Sequence, residues 1–437
     1  MNNIWIFLCF TFGVFVIFNF FQKTSKSLAF REFFIMLYSI NYIVSPAIIY
    51  VLPQDLVIYK MKITPDHYFP LAFIGMFGLI LGTYTLNNIK LFKPNIKLIE
   101  IEAKVNVEVL KQWTVFGILV NLSSSYFPGE IAFFLYLLSL IRYVGAFGLF
   151  TMDSKRNWVY IVGLLCYEFL NSLRFGLFHD FVMWTIFFMV YFIYIRKIGN
   201  RNKLILLGLG IVFVSIIQNS KGAYRGTVSS GGGGISDFVS SARISNENSK
   251  NDYLLSSDFI NSITRINQAW IFASTVKNMD DYQNFQGLAN VKLYFESAIL
   301  PRILAKNKLG SGNKEIFNKF AGHTISENTS MGLGIFADGY IAYGVWGVFI
   351  FCYSLGFLFS FTFQIILKWT RMSPFFFIFM FPILNYAVRP DCEVQTILGH
   401  IVKSLMVYSI VVWYYKSNFK RNYAILRRLK EEGKISF

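Results

Sequence analysis

Charged and hydrogen-bonding side chains recur inside the apolar stretches of this chain, where an ionised group is costly and must have a partner or a task. Arg142 stands in the middle of the apolar run 131–151. Glu168, Asn171 and Arg174 recur every three residues, one stripe of a helix, and His179-Asp180 follows them. Asn385 and Arg389 are four apart, and His400 and Lys403 three apart. Gln218, Lys221 and Arg225 continue another apolar run in QNSKGAYRG, and Arg302 follows Pro301 in LPRILAKNKLG, with Lys306 and Lys308 behind it. Arginine forks bind phosphate oxygens in pairs, while lysine acts as a point charge. Cations gathered beside a membrane therefore suit a lipid-linked phosphate or diphosphate. The plainer readings are a buried Arg142–Glu168 pair, a Lys403 that reaches the interface along its own stem, and a basic cluster that binds ordinary anionic headgroups.

Other chemistries find no support. GxxxxGK[ST], GxSxG and HExxH are absent, and GGGG at 231–234 follows no strand and reads as a flexible linker. The four cysteines show no CxxC spacing, so neither a disulfide framework nor a zinc site is expected. No metal or other cofactor is implied. The net charge of +17 would suggest nucleic acid in a soluble protein, but a positive-inside bias explains it here and no nucleic-acid partner is expected.

The elements that must position these groups are membrane helices. Of 437 residues, 55% are hydrophobic and 15% charged, against about a quarter charged in soluble domains. Apolar runs of about 18 residues or more span the hydrocarbon core as helices. The sequence predicts an all-α polytopic membrane protein with about eleven transmembrane helices, at 3–21, 32–52, 68–87, 112–127, 131–151, 158–176, 181–195, 204–219, 340–367, 374–389 and 396–415. The first run lacks the basic flank and cleavage site of a signal peptide and is read as a helix. The organisation expected is an N-terminal helical part over 1–219, one large loop over 220–335, a C-terminal helical part over 336–415 and a basic tail over 416–437. Within the loop, Phe259 to Val276 shows helical spacing behind a Ser257-Asp258 cap, and a second amphipathic piece runs from Ala289 to Leu300. A small helical lid lying on the membrane is expected there. No repeat links the two halves, which speaks against an inverted-repeat transporter.

The short connections set the orientation. Lys23, Lys26, Arg31, Lys90, Lys93, Lys97, Lys104, Lys111, Lys155, Arg156, Arg196, Lys197, Arg201, Lys203, Lys368 and Arg371 fall on one side, together with a basic C-terminal tail. The opposite connections carry only Lys60, Lys62 and Arg389. The positive-inside rule then places the tail in the cytoplasm, and the N-terminus and the large loop outside. Arg174, His179, Asp180, Arg389, Asp391, Glu393 and His400 all lie toward the outer leaflet in that arrangement.

The stretch from Glu296 to Val348 resembles bacterial Wzy-type oligosaccharide repeat-unit polymerases, the O-antigen and capsular polysaccharide polymerases. The residues that carry the resemblance are Pro301-Arg302, Lys308, Gly312, Phe317, Thr329-Ser330, Asp338, Tyr340 and Gly344, with Asp338 where the family usually has Glu. The resemblance implies a GT-C-like, inverting membrane glycosyltransferase in the bacterial cytoplasmic (inner) membrane. It would join undecaprenyl-diphosphate-linked oligosaccharide units into O-antigen, and hence lipopolysaccharide, or into capsule. A flippase and a chain-length regulator of the same pathway would be partners beside membrane lipids. On this reading Lys221, Arg225, Arg302, Lys308, Arg389, Arg142, Arg174 and Tyr340 bind diphosphate or substrate. His323 or Asp338 is the general base, with Glu327 a further candidate. An O-antigen ligase, or a lipid-linked oligosaccharide flippase or other transporter, are the alternatives.

Overall fold

The computed structural model describes residues 2–432 except 56, 87–94, 153–156, 230–233, 249–263, 265–266, 283, 301–307 and 326–329. Among the described residues every regular element is a helix and there is no strand. Among the described residues, seven helices are long and apolar enough to cross a membrane. They are α1 (Asn2–Lys23), α2 (Phe30–Val51), α3 (Pro65–Thr85), α6 (Ile131–Thr151), α9 (Asn200–Ser229), α14 (Ile335–Thr370) and α16 (Val394–Glu431). Helical segments also occupy the other four places where the sequence predicts spans: α5 (Val107–Ser124), α7 (Trp158–Phe175), α8 (His179–Ile195) and α15 (Pro374–Leu384). The remaining helices among the described residues are α4 (Ile96–Val105), α10 (Ile235–Asn248), α11 (Ala269–Tyr282), α12 (Gly287–Ile299) and α13 (Lys314–Ala321).

The surface is what a bilayer requires and water would not tolerate. Phe7, Val14, Phe15 and Phe18 of α1 point outward, as do Leu209 and Val212 of α9 and Ile410, Trp413 and Tyr414 of α16. Contiguous apolar surface of this extent is stable only against lipid or a partner. Inside, helices approach closely where side chains are small, since lipid offers apolar groups no hydrophobic reason to associate. A Cβ on Gly82 of α3 would lie 2.8 Å from the Phe357 amide nitrogen of α14, and one on Gly78 would lie 2.7 Å from Phe349 O. On the other flank, a Cβ on Gly117 of α5 would meet Arg142 N of α6 at 2.6 Å.

The ends of these helices sort themselves. Lys203 Nζ donates to Phe21 O at 2.8 Å, Lys23 pairs with Glu32 at 3.0 Å, and the Arg31 guanidinium lies over the Tyr84 ring. These contacts bring the basic ends of α1, α2, α3 and α9 to one end of the bundle. At the opposite end, Trp5 donates to Asp66 at 2.9 Å and His67 approaches Asp280 at 3.7 Å. The middle segment of the chain gathers here, at the loop end of the bundle.

Two features of the loop end depart from expectation. The sequence predicts a helix over 259–276 lying on the membrane; the described helix is α11 at 269–282, and Ser257-Asp258 falls outside the described residues. Its Trp270, Ile271, Phe272, Ala273 and Val276 form an almost unbroken apolar run, so α11 is buried among the helices and does not lie flat. Phe272 packs edge-on against Tyr42, Tyr68 and Phe336. The second departure is in α14, which begins at Ile335 and breaks at Tyr343 (φ −145°, ψ 28°) and Gly344 (φ 59°, ψ −137°). Gly344 supplies the positive φ that other residues resist. Residues eight apart in a straight helix are about 12 Å apart. Here a Cβ on Gly339 would fall 2.6 Å from Gly347 O, so the chain folds back on itself. The limb Ile335–Ala342 dips between α2, α3 and α11, with Phe336 stacked on Tyr42 at 3.9 Å.

Candidate functional site

The folded-back limb carries Asp338 into the bundle beside the first residue of α16. Asp338 Oδ2 accepts from the Val394 amide at 2.9 Å, and Tyr294 of α12 donates its hydroxyl to Oδ1 at 3.2 Å. The first amides of a helix have no partner within it and attract a carboxylate. Asp338 is 1% exposed and Glu393, one residue before α16, is 2% exposed. Glu393 Oε2 accepts from the Gly312 amide at 3.1 Å and from Gln395 Nε2 at 2.7 Å. Burial, and then the nearby Asp338, push the Glu393 carboxyl up to about 8, against the pull of the Gly312 and Leu333 amides. Two carboxyl groups so close and so dry do not both ionise readily.

The segment from Lys308 to Gly312 is tied to α12 and to the head of α16. Lys308 Nζ donates to Leu300 O at 2.8 Å and the Leu309 amide to Ser297 Oγ at 3.0 Å. Thr396 of α16 bonds Ser311 Oγ at 3.1 Å, and Ser330 reaches Gly312 O at 3.3 Å. Lys308 is thus held against the Leu300 carbonyl at the end of α12, while Gly312 and, through it, Ser330 are brought to Glu393 beside Asp338. Tyr340, two residues on, faces elsewhere and donates to Asp280 at 2.5 Å.

Beside this pair the turn between α15 and α16 is pinned from below. Tyr38 donates to Ala387 O at 3.1 Å, and Tyr42 to Pro390 O at 3.0 Å. The turn presents Arg389, 6% exposed, whose Nη2 bonds Asp180 at the head of α8. The guanidinium also covers the Tyr386 ring at 4.7 Å, and that ring stacks on His400 of α16 at 4.3 Å.

The other candidate residues lie apart. Arg142 is 3% exposed, with Nε on Glu168 at 2.9 Å and Nη1 on Ser139 at 2.7 Å, so the α6–α7 ion pair holds it. Arg174 is exposed and rests over Phe175. His323 is bonded to Ser274 at 3.2 Å and set edge-on to Trp270; burial, then Lys62, lower its affinity for a proton. No described contact joins it to Asp338. Lys221 and Arg225 belong to α9, but their side chains lie outside the described part, as do the whole of Arg302 and Glu327. Pattern reading did not assign Glu393, Tyr294 or Gln395 to a site; the one signal was the acidic Asp391-Cys392-Glu393 immediately before an apolar run. Among the described residues, no group of three or more His, Cys, Asp or Glu is placed to hold a metal ion.

No known family model matches this chain, and no curated protein or solved structure shows significant similarity to it.

Proposed function

We propose that the chain is a Wzy-type polymerase that joins undecaprenyl-diphosphate-linked oligosaccharide units at the outer face of the bacterial cytoplasmic membrane. On this reading it crosses the membrane about eleven times, with the loop end outside and the basic tail in the cytoplasm. The observation that carries the proposal is that Gly312, Ser330 and Asp338 gather at Glu393 at the head of α16, with Lys308 tied to the end of α12. These four residues of the stretch that resembles the family, up to 30 positions apart in sequence, lie at one end of a membrane bundle.

The reaction is a displacement. An acceptor sugar hydroxyl attacks the anomeric carbon of the donor glycan, and the bond from that carbon to the diphosphate oxygen breaks. The diphosphate lipid leaves with the electron pair, and a base takes the hydroxyl proton. Charge builds on the leaving group, where fixed cations stabilise it most. Arg302 and Lys308, with Lys221 and Arg225 on α9 and Arg389 at the rim, supply those cations. Asp338 has both oxygens engaged and fixes the head of α16 against α12 and α14. Tyr340, braced on Asp280, lines the acceptor side. Arg142 acts within the bundle through Glu168.

Deleting the gene in its host tests this reading. Single repeat units should accumulate on lipid carriers at the outer face, with no long polymer. Accumulation at the cytoplasmic face would point to a flippase instead. Polymer that is made but not transferred to a lipid core would point to a ligase.

A further inference from the structure

At the basic end of the bundle, opposite the loop end, four cations share one carboxylate. Lys23 Nζ and Arg31 Nη2 both lie 3.0 Å from Glu32 Oε1. Lys203, the fourth residue of α9, donates to Phe21 O at 2.8 Å and sits over the Phe21 ring. Lys26, in the turn between α1 and α2, stands close enough to Lys203 for the two charges to repel each other. Neither Lys26 nor Lys203 makes an ion pair among the described residues. The turn that carries Lys23 and Lys26 is closed by its own hydrogen bonds, from the Lys26 and Ser27 amides to Lys23 O and from Thr24 Oγ1 to Phe20 O. The positive charges are therefore held at fixed places on one small surface.

Part of that charge is poorly compensated. Lys203 is 2% exposed, and a buried ammonium whose partner is a carbonyl lacks the counter-charge that would offset its lost hydration. Lys26 is exposed and the Lys23 side chain is 30% exposed, so an anion can reach this place from the surface. Arg31 stays with Glu32 and the Tyr84 ring. The surface next to the cations is apolar. Phe18 on α1 and Leu204 and Ile205 on α9 point outward, within about two helical turns of Lys23 and Lys203 on the side of the bilayer centre. An occupant with a negative head and a hydrocarbon tail matches both parts, and a soluble anion would use only the first.

We propose that Lys23 and Lys26 bind the phosphate of an anionic phospholipid, whose charge offsets Lys203 behind them and whose acyl chains lie along the outward faces of α1 and α9. Each lysine meets the phosphate as a point charge and hydrogen-bond donor. The lipid joins parts of the chain about 180 residues apart, and it does so at the end of the bundle away from Asp338 and Glu393. The inference is independent of the polymerase reading.

The test uses the full chain in nanodiscs of phosphatidylcholine with a minor fraction of phosphatidylglycerol, and native mass spectrometry of the lipids that stay bound on release. The wild-type protein should retain phosphatidylglycerol in preference to phosphatidylcholine. Lys26→Gln changes an exposed side chain, should fold normally and should weaken that preference about fivefold. Lys203→Gln keeps a donor for Phe21 O and should weaken it to a similar degree. Lys368→Gln combined with Arg371→Gln removes two exposed cations at the end of α14 and should leave the preference unchanged. Wild-type retention by Lys26→Gln overturns the inference, whether or not Lys203→Gln folds. An equal loss in the Lys368 and Arg371 variant would reveal general attraction to a basic surface and overturns it too. In detergent, phosphatidylglycerol should raise the unfolding temperature of the wild type more than that of Lys26→Gln. The same rise with inorganic phosphate alone would mark a site for a free anion and overturn the assignment to lipid.

Discussion

Asp338 accepts the Val394 amide at 2.9 Å, and that one hydrogen bond ties the folded-back limb of α14 to the head of α16. The carboxylate satisfies a helix amide that would otherwise be orphaned, and Tyr294 secures its other oxygen. Asp338→Asn keeps an acceptor for Val394 and can still bond Tyr294, so the protein should fold and reach the membrane. Asp338→Ala leaves the Val394 amide unpaired in the bundle and should cost about 1–3 kcal/mol. Thermal unfolding of the two variants in detergent should separate them. Equal losses would mean that the carboxylate geometry is unimportant.

Arg142 and Glu168 form a buried pair in which each charge depends on the other. Removing one partner leaves an uncompensated charge. Arg142→Met should therefore destabilise the protein by about 3–5 kcal/mol, while the double variant with Glu168→Gln should recover most of that loss. If Arg142→Met instead keeps full stability and abolishes polymer, its role is in substrate binding.

The close approach of α3 and α14 predicts a contrast between glycines. Gly82→Val would push a side chain into Gly356 and the Phe357 amide and should cost about 1–3 kcal/mol or more through overpacking. Nothing lies within 4 Å of a Cβ at Gly163 in α7. Gly163→Ala should be neutral or stabilise by about 0.4–1 kcal/mol. Denaturant titration in mixed micelles measures both.

Much of this architecture is legible in the sequence because lipid imposes a simple rule on it. Long apolar runs and one-sided lysines mark helices and their ends, and Glu168, three residues from Asn171, already suggested the partner of Arg142. What composition could not convey is where a helix folds back. Tyr340 to Leu367 is apolar throughout whether or not the chain turns at Gly344, so the dip of Ile335–Ala342 left no mark on the hydropathy pattern. The partners of Asp338 are 44 and 56 residues away, and periodicity carries no information across such distances. The burial of α11 was hidden for a related reason: one face of Phe272 looks like any amphipathic helix until Tyr42 and Phe336 are seen around it.

Glu102 of α4 predicts a pH dependence. Its Oε2 accepts from Ser373 at 3.0 Å and from the Phe375 amide at 2.9 Å, while Oε1 has no partner among the described residues. Burial pushes this carboxyl up to about 7, against the pull of those two donors. Between the ordinary value of 4.5 and about 7 the folded protein holds a proton that the unfolded chain releases. Stability should therefore fall as pH rises through that window, by on the order of 3 kcal/mol, and level off above it. Glu102→Gln should remove that slope from a series of unfolding temperatures taken between about pH 5 and 8. An unchanged slope would assign it to another group.

Arg389 and Asp180 bear most directly on the proposed chemistry. Their pairing neutralises the buried guanidinium at the rim of the site, and an incoming diphosphate must compete with Asp180 for it. Arg389→Ala and Arg302→Ala should abolish polymer at normal protein levels, because on the proposed reading each removes a cation that stabilises the leaving group. Asp180→Asn should act in the opposite direction. It keeps the shape, withdraws the competing charge and leaves Arg389 free for phosphate oxygens, so KM for the lipid-linked donor should fall several-fold. Asp180 is half exposed, and water can solvate part of what the lost partner leaves behind, so the accompanying loss of stability should be small. Polymer of wild-type length from both arginine variants, together with an unchanged KM in Asp180→Asn, would show that these cations do not meet the diphosphate.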